Sequence, residues 1–158
     1  MEVVGKLVRL IRKIRPDVLF AFDPGPTYQR WHKSDHRAAS YLTADATRVA
    51  MWRLLFEGQI IHEGLEAHRI PEFMFYGSSK DTVNTWIDIT KYANAKARAR
   101  TRYVSQFGPG WSDYKGPDRT PEEQAAAEKQ ARERLTVRDG KTVEGFRYYK
   151  GSPDGMGK

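Results

Sequence analysis

Val18-Leu19-Phe20-Ala21-Phe22-Asp23-Pro24, followed after a short loop by Trp31-His32-Lys33-Ser34-Asp35-His36-Arg37, is the stretch whose reading decides the fold. The first piece is an apolar run that closes on a carboxylate. It is not cleanly alternating, which suits a strand covered on both faces. The second piece opens a helix and holds two of the four histidines. In an α/β protein the carboxyl rim of a strand that leads into a helix is where ligands and metals usually bind. The segment therefore reads as one wall of a site.

Working back from Val18, the residues Val4, Leu7, Val8, Ile11 and Ile14 recur at helical spacing, with Lys6, Arg9, Arg12 and Lys13 mostly opposite. Pro16 ends that pattern, and Asp17 leads into the strand. Helix, tight turn and strand make half of a β-α-β unit whose first strand is absent from the pattern. Working forward, Pro24, Gly25, Pro26 and Thr27 mark an irregular loop over 23–33. A helix is predicted from Ser34 or Asp35, either of which can cap it, to about Phe56, with Gly58 as its stop.

Phe73-Met74-Phe75-Tyr76, ended by Gly77, reads as a strand, and Thr85-Trp86-Ile87-Asp88-Ile89 as a short strand or extended loop. Thr90 is a cap candidate for a helix over 91–106, where alanines alternate with basic residues. The Gly-, Pro- and Asp-rich stretch 107–119 reads as loop. Thr120-Pro121-Glu122-Glu123 is a strong helix start, and that helix should reach about Leu135. Val143–Tyr149 is a terminal strand or an ordered tail, and 152–158 a flexible tail.

A chain of 158 residues allows one domain with a real core, placed at 1–151. With 39% hydrophobic and 30% charged residues it has an ordinary globular composition. It has no cysteine, which excludes disulfides, thiolate metal sites and cysteine nucleophiles. No apolar run reaches membrane-spanning length, so no membrane partner is expected and a cytoplasmic location is the default. The 27 basic and 20 acidic residues leave a net charge of +7, which makes nucleic acid a partner to consider. No nucleic-acid motif accompanies that charge, so solubility is the preferred explanation.

The chemistry gathers around His32 and His36. They are neighbours on one face if the first helical turn includes both. If the helix starts at Asp35, His32 belongs to the loop and His36 projects from the first turn. Asp23 approaches from the strand end, and Asp35 either caps the helix or orients a ring. Two histidines and an aspartate make part of a zinc site, whereas catalytic zinc needs three protein ligands and an open position. His62 and His68 lie in a polar stretch and read as surface groups.

The order of these motifs carries a resemblance. Ile11 through Phe20, Phe22-Asp23-Pro24, Asp35-His36-Arg37-Ala38-Ala39, Trp86-Ile87-Asp88-Ile89-Thr90, Lys96 through Ser105-Gln106-Phe107, and Glu144 through Tyr149 together resemble the LmbE-like, or PIG-L, deacetylase family. The resemblance spans nearly the whole chain. It implies an α/β, incomplete Rossmann-like deacetylase fold with a parallel sheet core and flanking helices. It also implies a zinc-dependent removal of the N-acetyl group from GlcNAc-type sugars or related amides.

By the same resemblance His36 is the metal ligand and Asp35 the adjacent acidic, catalytic residue, while His32 is read from the needs of the reaction as a protonated donor. The family's preceding catalytic histidine falls here on Lys33, with His32 one place further back. Either the loop shifts so that His32 reaches the site, or Lys33 puts a fixed charge there. Tyr103 occupies the place of another family histidine and can donate a hydrogen bond to an oxyanion. Asp23, Trp31, Lys33 and Tyr103 are the expected substrate contacts, for an amino-sugar or amide small molecule.

The family's "HPDDE" signature, which supplies two metal ligands and the general base, has no counterpart in this chain. The expectation is therefore a truncated domain that binds zinc weakly or not at all by itself and is inactive as an isolated polypeptide. An upstream segment or a partner chain would have to supply the missing half of the site. The alternatives are a non-catalytic relative acting as a structural or binding module, and a basic nucleic-acid-binding protein.

Overall fold

The computed structural model describes residues 2–25, 33–103 and 119–151. The chain forms two compact units, Met1–Thr85 with Gly145–Lys158, and Trp86–Glu144.

The first unit opens with α1 (Glu2–Ile14), which buries Val4, Val8 and Ile11. Arg15 leaves the helix in the left-handed region at φ 54° and donates its backbone N–H to the Ile11 carbonyl at 2.8 Å. Pro16 cannot continue the helix, so the chain passes straight into β1 (Val18–Phe22). β1 runs parallel to β2 (Glu72–Tyr76), in the register Leu19↔Phe73 and Ala21↔Phe75. Because side chains alternate along a strand, these four residues share one face. They form the core with Val4, Val8 and Ile11 of α1 and with Ala46 and Ala50 of α2 (Ser34–Ala50).

Two expectations fail here. The helix predicted to reach Phe56 stops at Ala50, and Gly58 lies inside a separate short helix, α3 (Glu57–Ile61), rather than ending the first. The cause is Arg12, which is only 1% exposed. Its guanidinium donates to the carbonyls of Ala50 (3.3 Å), Trp52 (2.7 Å), Leu55 (2.9 Å) and Phe56 (3.2 Å) and to Gln59 Oε1 (3.2 Å). A buried cation thus collects the carbonyls that a longer helix would have used internally, at the negative end of the helix dipole. Burial lowers the Arg12 pKa from its ordinary value. Gly5 completes the arrangement, because a Cβ there would stand 2.7 Å from Cε1 of Phe56.

The second correction concerns the sheet. It was expected to be parallel, and it is mixed and mostly antiparallel. β2 pairs antiparallel with β5 (Lys141–Lys150), as does β4 (Thr136–Arg138). β5 arrives through a two-residue hairpin, Asp139-Gly140, with φ of 50° and 74°. That hairpin accounts for the antiparallel pairing of β4 with β5, since a two-residue turn reverses the chain without a crossover helix. The strand order is β1-β2-β5-β3, with β3 spanning Thr85–Asp88.

In the second unit a 3₁₀ turn at Thr90–Tyr92 precedes α4 (Ala93–Thr101). Thr90 caps neither; its backbone N–H donates to Asp88 Oδ1 at 2.9 Å, and its Oγ1 accepts from the Thr142 N–H at 3.0 Å. α5 (Pro121–Glu133) starts as read from the sequence. Thr120 Oγ1 accepts from the Glu123 N–H at 3.2 Å, and Glu123 Oε2 accepts from the Thr120 N–H at 2.9 Å. α4 and α5 pack on small residues, with Ala93, Ala97 and Ala131 buried.

Candidate functional site

Phe22, the last residue of β1, sets the rim of the site. Its ring stacks on His36 at 4.5 Å between centroids and 19° between planes, and it also meets Tyr76 at 4.6 Å. Ser40, one turn beyond His36 on α2, donates its hydroxyl to the Phe22 carbonyl at 3.1 Å. The start of α2 is thus held to the end of β1 by a ring stack and a hydrogen bond. His36 projects from the first turn of α2, half-buried, with Nε2 4.0 Å from Asp35 Oδ2. Asp35 is exposed, where a carboxylate in the first turn suits the helix dipole. Neither Ser34 nor Asp35 occupies the cap position. Lys33 does, in extended backbone, and its side chain makes no capping bond.

Asp23 follows Phe22 and is 1% exposed. Its backbone N–H donates to the Tyr76 carbonyl at 2.9 Å, extending the β1–β2 pairing by one residue. Its carboxylate is fully engaged. Oδ1 accepts from the Gly25 N–H at 2.7 Å and from Nη2 of Arg147, and Oδ2 accepts from Ser78 Oγ at 2.5 Å. Arg147 reaches it from β5, opposite Phe75 in the sheet register, with its guanidinium over the rings of Phe75 and Tyr149. The Arg147 Nε is buried and has no hydrogen-bond partner among the described residues. Gly25 lies so close that a Cβ would stand 2.9 Å from both Arg147 Nη1 and Asp23 Oδ1.

The residue read from sequence as a substrate contact is therefore the buried counter-charge of Arg147. Arg147 and Ser78 were missed as its partners. The sequence carried Arg147 only inside the Glu144–Tyr149 motif, and a lone arginine in a strand gives no sign of burial. Tyr103 belongs to the second unit, just beyond α4, and is 62% exposed. His32 and Trp31 lie outside the described residues. His68 is more than a surface group, since its Nε2 stands 2.9 Å from the Pro16 carbonyl and ties its loop to the α1–β1 turn.

Among the described residues no group of three or more histidine, cysteine, aspartate or glutamate side chains is placed to hold a metal ion. His36 and Asp35 provide a rim pair, and Asp23 is committed elsewhere. These residues do not by themselves fit the donor set of a catalytic zinc. No helix among them is long and apolar enough to cross a membrane.

No protein-family model matches the chain, and no curated protein does. Solved structures do, and two of them carry the comparison. One is N,N'-diacetylchitobiose deacetylase from Pyrococcus horikoshii, solved with an inhibitor. It is 26% identical over 95% of this chain and 52% of its own, with a TM-score of 0.66. The other is a conserved protein from Thermus thermophilus. It is 25% identical over 96% of this chain and 58% of its own, with a TM-score of 0.60. The chain thus spans a little over half the length of these two structures. The likeness links it, at the level of a homologous fold, to the LmbE-like, or PIG-L, deacetylases.

Proposed function

We propose that this polypeptide is a non-catalytic module of the deacetylase-like fold, which carries one rim of the family's amide-hydrolysing site and needs further ligands from elsewhere to act as an N-deacetylase. The observation that carries this reading is the state of Asp23. Arg147, Ser78 and Gly25 take up its carboxylate, so the strand end contributes no free donor beside His36. Hydrolysis of an amide at a metal needs a polarised carbonyl, an activated water, a base and a donor for the leaving nitrogen. The rim supplies an imidazole at His36 and an exposed carboxylate at Asp35.

In a completed site we assign His36 as a metal ligand and Asp35 as the acidic group beside it. His32 and Lys33 compete for the position of the proton donor, and Trp31 and Tyr103 contact an amino-sugar or related amide. Zinc is the cofactor of that completed site. Location in the cytoplasm is part of the same proposal.

The test is metal analysis of the purified chain together with acetate release from N,N'-diacetylchitobiose. The expected outcome is substoichiometric zinc and no acetate. Stoichiometric zinc with acetate release would overturn the reading and make the chain an enzyme in its own right.

A further inference from the structure

We infer that the first unit carries a binding site, separate from the His36 rim, for a small amphiphilic monocarboxylate whose apolar body is a medium-length alkyl or aryl group. The site is a cavity of about 270 Å³ between α2 and the core-facing side of β1 and β2. It stands apart from the deacetylase reading, because neither His36, Asp35 nor Arg147 lines it.

The apolar part of the cavity follows from the side chains on its two walls. Its floor is Leu19 of β1, Phe73 and Phe75 of β2, and Ile70 just before β2. Ile70, Phe73 and Phe75 are 1%, 4% and 4% exposed and belong to the buried cluster, so the cavity reaches down to the core. Across from that floor α2 sets two short residues, Ala44 and Thr47. Thr47 Oγ1 donates to the Thr43 carbonyl at 2.8 Å, which commits its hydroxyl to its own helix. The interior of the cavity is therefore poor in groups that could hold water.

Protein interiors are close-packed, and voids larger than a water molecule are few. Water in an apolar cavity lacks the two to four polar partners that would order it, and an apolar ligand group displaces such water with a gain in affinity. The volume falls just under the range of drug-sized ligands, which suits a body of roughly eight to ten carbon atoms.

The mouth decides the charge of the ligand. Arg48, Arg69 and Asp45 are its charged residues, and all three are exposed. Two guanidinium groups against one carboxylate leave a single positive charge, which a monoanion balances. A dianion such as a phosphate monoester would bring its second charge towards Asp45. Arg69 is the residue we assign to the carboxylate, since it makes no ion pair or side-chain hydrogen bond among the described residues. Its backbone is fixed on both sides. The His68 N–H donates to the Ala50 carbonyl at 3.0 Å, His68 Nε2 stands 2.9 Å from the Pro16 carbonyl, and Ile70 is buried. A guanidinium on a fixed backbone offers a planar fork that takes a carboxylate through two parallel hydrogen bonds.

The probe is octanoate, added to the full chain at neutral pH and followed by titration calorimetry and by methyl NMR. The expected result is one saturable site with a dissociation constant on the order of 100 µM. The methyl resonances of Leu19 and Ile70 should shift, and those of Leu54, 86% exposed and outside the cavity, should not. Octan-1-ol, with the same body and no charge, and octyl phosphate should each bind at least about 10-fold more weakly. Arg69→Gln should weaken octanoate by about the same factor, leave octan-1-ol unaffected and keep the melting temperature of the parent. Ala44→Leu fills the cavity and should abolish octanoate binding while holding or raising the melting temperature.

Absence of saturable octanoate binding, equal affinity for octan-1-ol, tighter binding of octyl phosphate, or octanoate affinity undiminished by Arg69→Gln would each overturn the proposal. So would methyl shifts confined to residues outside the cavity. Should Ala44→Leu fail to fold, the exposed Arg69→Gln variant and the methyl map still decide the matter. The zinc and acetate test of the His36 rim is untouched by any of these results.

Discussion

In the unit built on β1 and β2, one guanidinium is buried, that of Arg12, and a second, that of Arg147, is 16% exposed against a buried carboxylate. Arg147 is held against the Asp23 carboxylate, and Arg12 against four backbone carbonyls and a glutamine. In the unit Trp86–Glu144, charges pair at the surface. Asp88 and Lys141 meet at 3.1 Å with both side chains about half exposed, and Lys96 pairs with Glu144 in a similar setting. Its helices pack on alanines. The same kinds of side chain thus do different work. A buried arginine fixes the path of a loop because its donors have no water to turn to, whereas an exposed pair is worth little because water competes for both partners. Precision belongs to the first unit, where the candidate site lies.

The largest effect should come from Arg147→Met, which leaves the Asp23 carboxylate buried without its cation. The expected cost is about 3–5 kcal/mol in denaturant unfolding. Adding Asp23→Asn should recover part of it. A loss below about 1 kcal/mol would break the contrast between the units, since Arg147 would then behave as a surface charge. Arg12→Met should cost less, about 2–3 kcal/mol. Its acceptors are neutral, and the segment around Trp52 and Leu55 is exposed enough for water to replace some donors. Exposure of Phe56 to limited proteolysis near 51–57 should accompany it.

The smallest effect belongs to Asp88 in the second unit, and it depends on pH. The Thr90 backbone N–H, the Thr90 side chain and Lys141 hold its pKa down to about 2, from an ordinary value of 3.8. A carboxylate whose folded pKa is depressed stabilises the fold above its unfolded pKa, and loses that contribution as pH falls through the folded one. The difference in melting temperature between the parent and Asp88→Asn should therefore be flat from pH 7 to about 5. It should shrink between about 4 and 2, where the two curves converge. A difference that already shrinks near neutrality would show that another group carries the interaction.

Much of the local structure was legible. Val4, Val8 and Ile11 announced α1, Pro16 its end, and Thr120 with Glu123 the start of α5, because each depends on neighbours within one or two turns of chain. The hairpin at Asp139-Gly140 was equally local and was overlooked, although an Asp-Gly pair between strand-forming residues is a strong turn signal. The expectation of a parallel sheet came from the family resemblance, and the antiparallel pairing of β5 with β2 corrects it.

The end of α2 was not legible at all. It depends on Arg12, which lies 38 residues before the Ala50 carbonyl it holds. For the site, the sequence named Asp23 and His36 but gave no sign of the ion pair that holds the Asp23 carboxylate. Its partner Arg147 stands 124 residues away.

The sequence by itself determined the helix–turn–strand order, the position of His36 in the first turn after β1, and the absence of a complete set of deacetylase motifs. These follow from periodicity, caps and residue types, which act over a few residues. Only the tertiary structure decided that the Asp23 carboxylate is held by Arg147, Ser78 and Gly25, and that β1 ends the strand order among the described residues. Burial and pairing are properties of residues distant in sequence, and the free energy of a charged group depends on what surrounds it more than on what it is.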